Sequence, residues 1–265
     1  MRVRKDTFLV EVSDQFVRPN VPGLKFIDTD YNPKILATKT GRIHSLPVAM
    51  SSEYRFDVKL EVGDWVVFNH IVCQNNMRFS GNVFICDYFN LFAKVDGDKI
   101  IPLEEVIFTE PIMEPDVEIG CFKVAGKVSA KIAKVYEASD YVKTQGVQAG
   151  DIMFFTKNAD YPIKIGDKDL YKMHLRNVIG LERDGVLTTY RNRLLVKNVT
   201  ELGSVGGLQK IYADSTLQTG VVINNGNTSI KEGALITYFQ GISSAVTWKC
   251  QDYSFVNEEN IKYVI

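Results

Sequence analysis

The residues of this chain best suited to chemistry are three histidines and four cysteines, and neither set forms a working arrangement. His44, His70 and His174 lack metal-ligand spacing, and none has a Ser or Cys neighbour in a nucleophile-like context, so all three read as surface or strand-edge residues. Cys73, Cys86, Cys121 and Cys250 are scattered and contain no C-x-x-C pair, which reads as ordinary buried thiols rather than a zinc site or a disulfide framework. Glu104 and Glu105 are a carboxylate pair, but consecutive residues of a turn do not converge on a substrate. "GSVGGLQK", Gly203 to Lys210, has the glycines of a phosphate-binding loop without its Lys-Ser/Thr ending or a following helix. The expectation is therefore no catalytic residue, no metal, no cofactor and no enzyme.

The remaining chemistry is non-covalent. "GSVGGLQKIYADSTLQTG", Gly203 to Gly220, has the polar vocabulary of a solvated loop, yet it carries Leu208, Ile211 and Tyr212 at its centre. A second polar stretch, "NVPGLKFIDTDYNPKILATKTG", carries Leu24, Phe26 and Ile27. Read from the residues alone, such apolar side chains are expected to fold back onto their own domain as a plug.

Something must hold these loops. Short runs rich in Val, Ile, Phe and Tyr, punctuated by Gly, Asn, Asp and Pro, predict an all-β chain. "LEVGDWVVF", "VQAGDIMFF" and "IKEGALITYF" share one plan, with Gly63, Gly150 and Gly233 as corners. The glycine supplies a positive φ and the Asp of the first two copies caps the turn. Upstream of each lies a strand, "TKTGRIHSLP", "AKIAKVYEAS" or "LQTGVVINNG". Downstream, "IIPLEEVIF", "YKMHLRNVIGL" and "YSFVNEENIKYVI" place polar residues before a closing strand. The plan predicts three tandem small β-barrels: residues 1–112 with a long loop at about 17–40, residues 113–186 without one, and residues 187–265 with a loop at about 200–219. "TEPIMEPDVEIG", with Pro111 and Pro115, predicts the first linker, and the turn at Asp184-Gly185 the second junction.

Laid out this way the chain resembles the GroES family of co-chaperonins, most clearly in its third unit. There "RNRLLVKNV" looks like the family's first strand, Gly203 to Gly220 like its mobile loop, and "VVINNG", "IKEGALITYF" and "VNEENIKYVI" like the central and closing strands. The first unit matches over nearly its whole length, from "MRVRKDTFLVEV" to "LEVGDWVVF". The middle unit departs from the family, since "CFKVAGKVSAKIAKVYEA" leaves no room for a long loop. The resemblance implies a co-chaperonin that caps an ATP-driven GroEL-type chaperonin ring and assists folding. Leu24, Phe26, Ile27, Gly207, Leu208 and Ile211 would be its chaperonin-binding residues, and the assembly would be a homo-oligomer. Three barrels per chain do not divide into the family's sevenfold rings, which leaves open a structural or adaptor role in a larger, possibly viral, assembly. GroES-like barrels also occur in zinc-dependent alcohol dehydrogenases, but the G-x-G-x-x-G unit those enzymes need is absent from this sequence.

The bulk properties narrow the partners. A formal net charge of -1 excludes the basic excess that nucleic acid or an anionic membrane selects. No apolar run approaches the roughly 18 to 20 residues of a membrane helix. The charged start, "MRVRKDTFLVEV", is unlike a signal peptide, so a cytoplasmic location is expected.

Overall fold

The computed structural model describes residues 4–12, 39–55, 57–113, 117–119, 122–124, 128–157, 159–199, 217–239, 243–249 and 251–265. Strands dominate it. The first stretch gives β1 (Thr7–Glu11), β2 (Thr40–Ser45), β3 (Trp65–Phe68), β4 (Arg78–Ser80), β5 (Val83–Asp87), β6 (Leu91–Asp96) and β7 (Lys99–Pro102). The second gives β8 (Val106–Met113), a short pair β9 (Val117–Ile119) and β10 (Phe122–Val124), then β11 (Val128–Ala138), β12 (Ile152–Phe155), β13 (Tyr161–Ile165), β14 (Lys168–His174), β15 (Val178–Arg183) and β16 (Val186–Thr189). The third gives β17 (Arg193–Asn198), β18 (Leu217–Asn224), β19 (Leu235–Phe239), β20 (Ser244–Trp248), β21 (Gln251–Asn257) and β22 (Ile261–Val264). A five-residue helix, α1 (Asp140–Thr144), starts at Ser139, whose hydroxyl accepts from the Val142 N–H at 3.1 Å.

Three antiparallel sheets result, and their strand orders are one order written three times. The first runs β4-β5-β1-β2-β3-β6-β7, the second β13-β14-β8-β11-β12-β15-β16, and the third β20-β21-β17-β18-β19-β22. In each, the hairpin formed fourth and fifth along the chain pairs with the first strand, and the next strand pairs with the third. None of the three ladders closes on itself among the described residues.

The corner glycines hold equivalent places. Gly63, Gly150 and Gly233 have φ of 93°, 93° and 84°, a region that only glycine enters at no steric cost. Each donates its N–H at 2.8 Å to the second strand of its own sheet: to the carbonyls of Ile43, Val135 and Val222. The second landmark corrects the sequence reading. In the first sheet the counterpart of "LRNV" and "EENI" is "YFNL", Tyr88 to Leu91, and "LEEVIF" instead leads into β8 of the next sheet. With that correction, a short 3-10 turn ending in Asn90, Asn177 or Asn260 precedes each closing strand. From Gly63 to Asn90, Gly150 to Asn177 and Gly233 to Asn260 the separation is 27 residues every time.

Sheet membership therefore changes between Pro102 and Val106, and again between Thr189 and Arg193. The expected first linker is strand instead. Thr109 to Met113 belong to β8, and Val117 to Ile119 form β9, paired with β10 through Phe122↔Ile119 and Val124↔Val117. Prolines suggested a break there, yet Pro111 lies near the end of β8, where few ladder bonds are lost. Asp184 and Gly185 do form a tight turn with φ of 51° and 83°, but it joins β15 to β16 inside the second sheet, pairing Arg183 with Val186.

By internal contacts the chain falls into two compact units: Met1–Val128 with Lys134–Gly150 and Ala159–Arg176, and Ser129–Ala133 with Asp151–Asn158 and Asn177–Ile265. In the first unit, Phe8, Val10, Val66, Phe68 and Phe84 fill the core of the first sheet. Val67, between Val66 and Phe68, points the other way. It joins Phe92, Ala93 and Ile100 against Val106, Phe108 and Ile163 of β8 and β13. That explains the apolar run Val66 to Phe68: an open sheet covered on its second face by another sheet buries both sets of side chains, while Trp65 at the start of β3 stays exposed. In the second unit, Leu194, Val196, Val222, Ile236, Tyr238 and Val256 form the core of the third sheet. There Phe154 of β12 packs against Phe255 of β21 and edge-on against Trp248 of β20, each with centroids 5.6 Å apart. Gly180 of β15 lies so close to the Phe255 ring that no side chain fits. Among the described residues no helix is long and apolar enough to cross a membrane.

Candidate functional site

The expected docking residues Leu24, Phe26, Ile27, Gly207, Leu208 and Ile211 lie outside the described residues. The strands that hold their segments are described, and they are built alike. One segment leaves after β1 and returns on β2, the other leaves after β17 and returns on β18. Both pairs are antiparallel and carry an irregularity at the same place, between Leu9 and Val10 in one and between Leu195 and Val196 in the other. Both returning strands bring a Thr-Gly pair to the root. Gly41 sits against Glu11 and Val10, where a Cβ would lie 2.6 Å from the Glu11 carbonyl and 2.8 Å from Val10 Cγ1. Gly220 does the same against β17, where a Cβ would overlap Val196 and lie 2.7 Å from the Lys197 carbonyl. Ala133 takes the corresponding place in the second sheet, two residues before Val135.

The first root is pinned on both sides. Val12 is buried and donates its N–H to the Asn82 carbonyl at 3.0 Å. The Lys39 carbonyl accepts from the Phe68 N–H at 2.8 Å. Its amine is drawn inward, donating to the Pro162 carbonyl at 2.9 Å with the Tyr161 ring 5.3 Å away. Burial holds that amine below the usual lysine range. Tyr161 in turn bonds His70 Nδ1 at 2.7 Å through its hydroxyl, which also accepts from the His70 N–H at 2.9 Å. At the third root, Val199 donates to the Thr219 carbonyl at 3.1 Å, and the Tyr238 hydroxyl donates to Asn198 Oδ1 at 2.6 Å. Burial pushes the Tyr238 phenol up, which keeps it a neutral donor. The recurring Thr-Gly was the sequence signal for these roots. Lys39 and Tyr161 carried none, because their partnership joins residues more than a hundred positions apart.

Residues 12–39 separate β1 from β2, and 199–216 separate β17 from β18, spans of 28 and 18 residues. Leu24 lies 12 residues beyond Val12, and Ile27 lies 12 before Lys39, so the apolar group is central in the sequence of its span. In the second sheet the same gap, residues 114–127, holds the short β9/β10 pair instead.

The polar residues weighed for chemistry are dispersed. Glu104 turns the chain between β7 and β8 with φ of 48°, and its carboxylate accepts from the Arg55 N–H at 3.0 Å. Glu105 pairs with His174 at 3.1 Å. Asp64 caps its turn as expected, accepting from the Glu61 N–H at 2.8 Å. The Asp151 carboxylate instead accepts from Nε and Nη2 of the Arg183 guanidinium, each at 2.7 Å. The Cys73 thiol is pushed up to about 11 by burial, and burial also raises the Cys86 thiol. Among the described residues no three His, Cys, Asp or Glu side chains converge on a metal-sized site. No family model matches the chain, and no curated protein matches it.

Proposed function

We propose that this chain is a co-chaperonin of GroES type, a non-enzymatic cap whose two apolar segments dock on an ATP-driven chaperonin ring. The observation that carries the reading is the placement of those segments. Two Gly-Leu stretches of different length are inserted at the same gap of the same strand order, each between paired strands with a Thr-Gly at the root. A plug for the chain's own core has no reason to recur at the same gap of two separate sheets, whereas a repeated docking arm does. Two weak arms on one covalent body also reinforce each other, because capture of one raises the effective concentration of the other. On this reading each sheet is a GroES-like barrel, and the middle one has given up its arm for the β9/β10 pair.

The test is co-sedimentation with a purified GroEL-type chaperonin in the presence of ATP. The unaltered chain is expected in the chaperonin fraction, and the double variant Leu24→Asp, Leu208→Asp is expected to be lost from it. Retention of the double variant, or failure of the unaltered chain to bind, overturns the reading.

A further inference from the structure

The two sheet-to-sheet junctions inside the chain use equivalent surfaces. At the first, within the first unit, the β3/β6 face of the first sheet receives the β13/β14 hairpin and β8 of the second. Phe92 meets Tyr161 edge-on at 5.6 Å, and Val67 and Ala93 are sealed beneath. At the second, within the second unit, the β12/β15 face receives the β20/β21 hairpin, with Phe154 against Phe255 and Trp248. Counting from the corner glycines and the closing-turn asparagines, Val67 corresponds to Phe154, and Ala93 to Gly180.

Continuing that count to the third sheet reaches Thr237 and Tyr263, on β19 and β22. These strands are paired Thr237↔Tyr263, as β3 and β6 pair Val67↔Ala93. Here the face is open. Tyr263 is 44% exposed and Phe239 37%, with the Lys262 amine 5.7 and 5.8 Å from their two rings. The hairpin that would fill such a face is also found open, at the other end of the strand order. β4 of the first sheet is exposed along its whole length, with Phe79 at 43%, whereas its counterparts β13 and β20 are partly buried at the junctions above.

We infer that a second copy of this chain seats its β4/β5 hairpin, led by Phe79, on the β19/β22 face around Phe239 and Tyr263, a head-to-tail contact that repeats the chain's own two junctions. Both faces are aromatic, as both internal junctions are. The contact is heterologous, because the two surfaces differ, so each copy keeps one of each to offer. The inference does not rest on the chaperonin reading: it concerns copies of this chain alone, and Leu24→Asp, Leu208→Asp should leave the assembly mass unchanged.

Mass measurement in solution tests it. The unaltered chain should run as multiples of 29.9 kDa. Phe79→Asp and Tyr263→Asp should each fall to the single-chain mass with unchanged circular dichroism. Mixed in equal amounts they should form a dimer and nothing larger, because Phe79→Asp retains an intact third-sheet face and Tyr263→Asp an intact hairpin. Should either substitution unfold the chain, Phe79→Lys and Phe239→Lys take their places. A single-chain mass for the unaltered protein, an assembly that survives either substitution, or a mixture that stays monomeric overturns the inference.

Discussion

Gly41 gives the sharpest test of how the arms are anchored. Its N–H and carbonyl pair in the β2/β3 ladder opposite Val66, and its φ lies outside the left-handed region, so alanine costs nothing in backbone conformation. The cost is steric. A Cβ would sit 2.6 Å from the Glu11 carbonyl, 2.8 Å from Val10 Cγ1 and 3.2 Å from the Phe68 ring. Ordinary contacts there need about 3.3 Å to oxygen and about 3.8 Å to carbon, so β1 and β2 must part by roughly 0.7 to 1 Å. Val10 and Phe68 are fully buried, and the branched side chain of Val10 has few alternative rotamers. Overpacking of that kind costs about 1 to 3 kcal/mol, offset by about 0.5 to 1 kcal/mol from the stiffer unfolded chain. Gly41→Ala should therefore lose about 1 to 2 kcal/mol, which lowers the urea midpoint by roughly 0.5 to 1 M. Trp65, on β3 beside Arg42, reports on this sheet when Trp248 is replaced by Phe in both proteins compared. An unchanged midpoint would show that β1 and β2 are not in close contact at the root, and the account of the anchored arm would go with it.

Two further predictions concern the sheets themselves. Gly63→Ala, Gly150→Ala and Gly233→Ala place a Cβ in open space at φ near 90°, so each should cost about 1 kcal/mol of backbone strain, and the three should agree closely in urea unfolding. Large disagreement among them would break the equivalence of the corners. Burial on β14, aided by Arg176, pushes the Lys172 amine down to about 8, although the Phe92 ring lies 4.5 Å away. The unfolded lysine titrates near 10.4, so below pH 8 both states are charged and the burial penalty is fully felt. Between pH 8 and about 10.4 the unfolded chain binds more protons, and stability should rise with pH by about 3 kcal/mol relative to Lys172→Met. Parallel stability curves for the two proteins across that window would refute the shift.

The corners were legible because glycine followed by a buried apolar run is a local event, complete within ten residues. The closing turn of the first sheet was not. "LEEVIF" carries the acidic residues that mark "EENI", while the true counterpart, "YFNL", shares only its asparagine with the other two. The constant 27-residue separation was in the sequence, but it emerges only once asparagine rather than charge is taken as the landmark. β9 was hidden for a different reason: its three residues pair only with β10, a ladder too short to impose an alternating pattern. The partly apolar outer face of the first sheet was legible as an unbroken hydrophobic run, but its cover was not, since Ile163 and Phe108 reach it from distant parts of the chain.

The unvarying 27-residue span and the variable gap beside it divide this fold into a part that must be counted and a part that need not be. One residue added within a strand between a corner glycine and its asparagine would turn the side chains that follow it in that strand to the other face. Between the first and second strands the chain already accommodates 28, 14 and 18 residues. That gap is a natural port for foreign sequence: a peptide grafted between Ile119 and Phe122 would be displayed from the β9/β10 stem, without disturbing a single rung of the ladder that carries it.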